Sequence, residues 1–301
     1  MTRAARRGQT RLPPALVLSL GAVCISFSPI FVKWVGEDRL GPTSTAFWRC
    51  LFGAAALFVI TAMRSRTFVL SRLHFRFAVL AASLFALDLF FWHRSILYVG
   101  AGLSTILGNT QVFGSALLSW MLFKERPSAR FFIAAVSAML GVVLLVGVFA
   151  EEVAFSARYT RGIVFGLLTG LTYAGYIISL KGAGHRARIP DGVVFMAWVS
   201  LLSAVLLAGA VGLEASRLAP PDLASWLLLA ALGIVAQAIG WWAISRSLRE
   251  ILASKAGLIL LLQPALATVW GVLFFAEQMT LTQAGGAVIT LAAIYYGGWR
   301  R

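Results

Sequence analysis

Charge is scarce in this sequence. Asp, Glu, Lys and Arg together make up 12% of its 301 residues, about half the share found in soluble domains. So few charges cannot dress a soluble surface of that size, and a soluble fold is excluded. Histidine and cysteine are scarcer still, at 3 and 2. Cys24 and Cys50 fall inside apolar runs without metal-type spacing, so no metal site or disulfide framework is indicated and two buried free thiols are expected. No H-E-x-x-H, G-x-S-x-G or P-loop pattern occurs, which removes the usual grounds for an enzyme, a metal centre or a nucleotide-driven pump. No cofactor is expected.

What the chain has instead is apolar length. Hydrophobic residues make up 60% of it, with a mean hydropathy of +0.87. A helix crossing a hydrocarbon core of roughly 30 Å needs about 20 apolar residues, and ten such spans are predicted. They cover 13–35, 43–62, 77–97, 103–123, 129–149, 162–181, 192–212, 223–245, 254–275 and 281–299. Short Gly-, Pro- and Asp-bearing segments such as "GEDRLGPTS" and "RLAPPD" separate them. The basic leader "MTRAARRGQTR" is followed by an apolar stretch too long and without a clear cleavage site for a signal peptide, so it is read as the first helix. The fold class is an all-α integral membrane protein in the lipid bilayer.

The net charge of +15 invites a nucleic-acid reading, but a nucleic-acid site gathers its basic residues on one face. Here they sit in short clusters on every second loop. With the N-terminus inside, 19 of the 26 Lys and Arg lie on the inner side, which predicts both termini in the cytoplasm of a bacterial inner membrane. No nucleic acid is expected as a partner, and a monomer is the working expectation.

Offsetting the chain by 152 residues lays "GNTQVFGSALLSWMLFKERPSARFFIAAVSAML" over "LLLQPALATVWGVLFFAEQMTLTQAGGAVITLA". Gln111 then meets Gln263, Phe123 meets Phe275, Glu125 meets Glu277, and Arg94-Ser95 meets Arg246-Ser247. At an offset of 148, Lys33 meets Lys181. Five spans per half is an odd number, so the halves, 1–152 and 153–301, must be inverted relative to each other. Inverted repeats mark secondary transporters, whose substrate sites lie near the midplane where the repeats meet. A channel is the alternative, but it does not call for this symmetry and the sequence has no rings of like charge.

The doubled pattern in "TQVFGSALLSWMLFKERPSARFFIAAVSAMLGVVLL" and "LQPALATVWGVLFFAEQMTLTQAGGAVITLAAIYY" resembles the module of the drug/metabolite transporter superfamily, EamA type. Within it the chain looks most like the YddG-type exporters. That resemblance implies export of aromatic and other neutral amino acids by alternating access, driven by the substrate's gradient or a coupled ion. A carrier for another metabolite or a drug-like cation is the runner-up. One difference separates the halves: Pro264 follows Gln263 but Val112 follows Gln111, which confines a proline hinge there to the second half.

Ionisable groups inside a span are costly and face protein or water. Arg49 lies about six residues, or roughly 9 Å, down the second span, and Asp88 about nine residues, or roughly 14 Å, down the third. An ion pair between them is the structural reading. The functional readings are a substrate ammonium held by Asp88, or a proton taken up there. His93, near the end of the third span, is an interfacial residue or a proton relay. Gln111 and Gln263 either contact substrate or bond neighbouring helices. Among the aromatics, Trp92, Tyr173, Tyr176 and Trp242 are the cavity candidates, with packing and the interfacial belt as rivals, Trp241 being weighed beside Trp242. Pro29 should kink the first span, with Ser26 or Ser28 serving freed backbone groups, and Pro264 is the second gating candidate. Gly162, Gly166, Gly170 and Ala174 form a ridge for close helix approach. Glu125 and Glu277 precede the candidate N-caps Ser128 and Thr280 and are expected to stabilise hairpins.

Overall fold

A computed structural model describes residues 12–36, 39–64, 67–146, 157–186, 191–214, 216–276 and 279–299. Among these residues the regular structure is all helical, with no strand. The helices are α1 (Pro14–Ser26), α2 (Ser28–Val35), α3 (Pro42–Met63), α4 (Arg72–Asn109), α5 (Gln111–Phe123), α6 (Ala129–Val146), α7 (Ala157–Arg186) and α8 (Gly192–Glu214). There follow α9 (Leu223–Leu232), a π-helical stretch (Gly233–Gly240), α10 (Trp241–Ser247), α11 (Ala253–Leu260), α12 (Leu262–Phe275) and α13 (Leu281–Ile294), the last continued by a π-helical Tyr295–Trp299.

Nine helical stretches among the described residues are long and apolar enough to cross a membrane. They correspond to the first nine predicted spans. The tenth, from Leu281 to Trp299, is also helical, but Thr282, Gln283 and the two tyrosines dilute it and it is not among the nine.

Helix α4 is too long for one crossing, because 38 residues at 1.5 Å each would span about 57 Å. It folds back on itself. Ser104 Oγ donates to Ser95 Oγ at 2.8 Å, whereas nine residues of straight helix would hold them about 13 Å apart. Its limbs Arg72–Val99 and Leu103–Asn109 therefore form a hairpin, and α7 lies in the groove between them. The glycine ridge makes this possible: a Cβ on Gly166 would come within 2.6 Å of Leu107 and 2.9 Å of Ser95 Oγ, one from each limb.

Backbone details repeat across the two halves. The only non-glycine residues with positive φ among those described are Lys124 at 58° and Ala276 at 53°; they end α5 and α12 at positions the repeat offset equates. Ser128 and Thr280 both accept a hydrogen bond from the backbone N–H three residues on, at 3.2 Å each, as expected of N-caps. Helix α6 packs antiparallel against α13, with Gly141 against Thr290 and Leu145 against Gly286. Helix α3 runs antiparallel to α8, with Thr43 bonded to Glu214 near one end and Phe58 against Trp198 near the other. Each pair joins equivalent helices of the two halves, so both lie on the pseudo-two-fold axis.

Helix breaks are symmetric too, which corrects the expectation of a hinge in the second half alone. Helix α5 starts after a kink at Thr110 (φ −58°, ψ −13°) and α12 after a kink at Leu261 (φ −63°, ψ −9°). Each kinked residue donates its N–H three residues back, to Leu107 at 3.2 Å and Leu258 at 3.1 Å, a 3₁₀ turn. In the second half Pro264 removes a helical donor. In the first, the Thr110 hydroxyl takes the Leu107 carbonyl at 2.5 Å and competes with helix continuation. A further break, the first in chain order, separates α1 from α2 at Phe27, two residues before Pro29, and Ser26 Oγ donates to Val23 O at 2.6 Å there.

Candidate functional site

All three breaks lie at one cavity. Its wall takes Ser26, Ser28 and Pro29 from the first break, Thr105, Gly108 and Asn109 from the turn before the second, and Gln263, Pro264 and Ala267 from beyond the third. Arg49 from α3, Phe85, Asp88, Leu89 and Trp92 from α4, Tyr173 from α7 and Trp241 from α10 complete it. The space is about 790 Å³ counted to its open mouth. Broken helices place backbone polar groups where side chains would otherwise fill the room, and in a membrane such irregular backbone persists only where it lines protein or a cavity.

Two opposite charges face this space. Arg49 and Asp88 are both buried, and the expected ion pair between them does not form. Arg49 Nε and Asp88 Oδ1 are each buried without a hydrogen-bond partner in the protein. The Arg49 guanidinium instead lies 5.7 Å from the centre of the Phe85 ring. Depth along a helix gives height but not direction, so the sequence arithmetic could not tell facing charges from charges set apart on one wall. Burying a charge without a partner costs several kcal/mol.

Aromatic rings and one side-chain amide hydrogen bond shape the rest. Gln263 Nε2 donates to Tyr173 Oη at 3.1 Å, fixing both across α12 and α7. Ser26 Oγ accepts from Trp270 Nε1 at 2.8 Å, and Phe27 stacks on the same indole at 4.6 Å, bracing the first break against α12. Toward the end of the molecule that carries the 124–128 turn, Phe85 stacks on Tyr176 at 4.7 Å and Trp241 meets Tyr176 edge-on at 4.6 Å. That layer closes the cavity. In the other direction a second cavity adjoins it, sharing Pro29, Trp92 and Thr105 and reaching Lys33, Leu40 and Pro42 beside the α2–α3 loop. Among the described residues, the space therefore continues toward that end.

Of the candidates read from sequence, Pro29, Arg49, Asp88, Trp92, Tyr173, Gln263 and Pro264 share the central wall. His93 lines the adjoining mouth, buried, with Nδ1 unbonded. Three candidates fall outside the wall. Gln111 donates to Gly257 O at 3.0 Å, tying α5 to α11. Tyr176 is fully buried beneath the cavity. Trp242 turns away, with Arg246 over its ring at 5.6 Å, and Trp241 points in. Neighbours on a helix differ by about 100°, and the π-helical stretch just before them resets the phase that regular periodicity would assign. Phe85 was missed, although it stands three residues before Asp88 and so on the same helix face. Cys24 is half-buried and Cys50 buried, both free.

A multi-pass helical membrane protein, built as two antiparallel copies around a cavity fit for a small molecule, is the architecture of a carrier. The EamA-like transporter family matches residues 12–147 and, a second time, 160–296. The chain belongs to that family, and it is a membrane transporter. It is 27% identical over 303 residues to an uncharacterized transporter of Archaeoglobus fulgidus, with 95% of each chain covered. It is 24% identical to the transporter YdfC of Bacillus subtilis, covering 87% of this chain and 83% of that one. A solved crystal structure, 17% identical, superposes with a TM-score of 0.82 over 94% of this chain and 95% of its own, which supports the fold.

Proposed function

We propose that this transporter is a secondary carrier exporting zwitterionic metabolites, aromatic and other neutral amino acids first among them, by alternating access through the central cavity. In this reading 281–299 is a tenth span, the halves 1–152 and 153–301 are the two repeats, and both termini face the cytoplasm of a bacterial inner membrane. The cavity mouth at the α2–α3 loop is then the outer one.

The observation that carries the reading is the unpaired couple Arg49 and Asp88, both buried and both lining the cavity. An α-amino acid brings a carboxylate for Arg49 and an ammonium for Asp88, and its side chain has Phe85, Trp92, Tyr173 and Trp241 to lie against. Gln263, held by Tyr173, adds an amide that suits either charged end. The drug-like cation fits less well, because it would leave Arg49 buried and unpaired.

Uptake of a panel of labelled amino acids into liposomes holding the purified protein, with and without a pH gradient, tests this. Saturable uptake of neutral amino acids is expected. No uptake of any amino acid by folded, inserted protein would overturn the substrate assignment, and uptake only of amines would favour the cation carrier.

A further inference from the structure

Beyond the aromatic layer, at the end opposite the mouth, lies a cluster that the central cavity does not use and that lines a small pocket of its own with Arg249 and Leu252. Glu125 follows the left-handed residue that ends α5. Its carboxylate accepts from the Ser119 hydroxyl, from Ala253 N–H at 3.1 Å and from Lys181 Nζ at 2.8 Å. Lys181 Nζ also donates to Ile251 O at 2.5 Å and Leu248 O at 3.3 Å, so all three of its protons have partners. The cluster joins the first half to α7 and the α10–α11 turn of the second. Both side chains are largely buried, at 16% and 7% exposed.

Between this cluster and the cavity stand polar atoms that no protein group bonds: Tyr176 Oη, Trp241 Nε1 and Ser245 Oγ. Trp241 and Ser245 are four residues apart on one helix face, and Lys181 lies about a turn and a half beyond Tyr176. Buried polar atoms are normally paired. Unpaired ones set between a cavity and an ion pair fit a route that is closed here.

We propose that Glu125 and Lys181, with the 248–253 turn, form the latch that holds the second mouth shut and must break once in each transport cycle. This rests on the alternating-access reading above but not on the substrate named there. An ionic latch suits the task. When it opens, both charges regain hydration, whereas an apolar seal would expose its whole surface to water at each cycle. The repeat gives a counterpart at the open end, where Lys33, equivalent to Lys181, lines the mouth cavity.

The test uses full-length protein with Cys24→Ala and Cys50→Ala, carrying one reporter: Ser245→Cys on the closed route or Thr105→Cys on the open one. Each is labelled with a membrane-impermeant methanethiosulfonate applied from the side in question, without substrate. Glu125→Gln is expected to raise labelling at Ser245→Cys by about tenfold, the scale of one charge-assisted bond, and to lower it at Thr105→Cys. Ala253→Pro is the milder variant. It deletes the backbone donor and sets a ring carbon against the Glu125 carboxylate in its place, at the first residue of α11 where proline is accepted, and Leu252 (φ −58°, ψ 137°) already has the extended backbone a following proline requires. A rise of about threefold is expected of it, so it decides the matter if Glu125→Gln does not fold. Unchanged labelling in a folded variant, or a rise at both reporters together, would overturn the latch and leave a merely structural cluster. A wrong substrate would alter neither result.

Discussion

The two ends of this transporter are made from equivalent parts, yet an aromatic layer separates one from the central cavity while a second cavity joins the other to it. At the first end, α5 finishes in a left-handed turn and Lys181 reaches the carbonyls of the 248–253 turn. At the other end, α12 finishes in the same turn and Lys33, on the adjoining cavity wall, lies over the Phe275 ring at 4.1 Å, while Glu277, the equivalent of Glu125, lies outside the described residues. In the alternating-access carrier proposed above, the broken helices around Pro29, Thr110 and Leu261 stand between the two ends and are where one arrangement would convert into the other.

The comparison is broken most completely by removing what the open side presents to a substrate. Arg49→Gln and Asp88→Asn should each cut transport by about a hundredfold or more, while the melting temperature holds or rises, because an unpaired buried charge is destabilising. Transport and thermal unfolding measured on the same preparations check this. A variant that unfolds instead would mark the charge as structural.

Next in size is an assault on the pivot. A side chain at Gly141 would meet Thr290 Oγ1 at 2.4 Å and Gly286 O at 2.8 Å, so Gly141→Val should destabilise by about 1–3 kcal/mol, read as earlier thermal unfolding and less folded protein. The two repeat-related glutamines sharpen the contrast further. Gln263→Leu should raise KM several-fold, since the amide faces the cavity. Gln111→Leu should leave KM alone and cost about 1 kcal/mol for its lost bond to Gly257.

The smallest effect concerns the latch and acid. Burial pushes the Glu125 carboxyl up, but Lys181, Ser119 and the Ala253 N–H together outweigh it and hold the group below its ordinary value of 4.5. A lowered carboxyl stabilises the fold above its unfolded-state pKa, and that contribution disappears as pH falls through the lowered value. Melting temperature should thus drop below pH 4.5 by a larger margin in the native sequence than in Glu125→Gln.

Much of this fold is legible in the sequence because apolar length is a one-dimensional property. Spans, loops and the offset that equates Gln111 with Gln263 can all be counted. What depends on direction around a helix cannot. Depth suggested an Arg49–Asp88 pair, but the two side chains leave their helices without meeting. Trp241 and Trp242 exchange places because a π-helical stretch shifts the phase. The kink at Thr110 needs no proline, so the residue that marks its counterpart gave no signal for it. The hairpin within α4 turns without leaving helix, and only the Ser95–Ser104 contact reveals it.

The most direct measurement of the central claim compares a whole ligand with its halves. Thermal stabilisation of the purified protein should be read with phenylalanine, with phenethylamine and with 3-phenylpropanoate, in the native sequence and in Arg49→Gln. If Arg49 and Asp88 hold the two ends of one zwitterion, phenylalanine stabilises the native protein, neither half does so comparably, and Arg49→Gln abolishes the preference for the whole over the amine. Stabilisation by phenethylamine equal to that by phenylalanine would show that the carboxylate is not read, and would contradict the account.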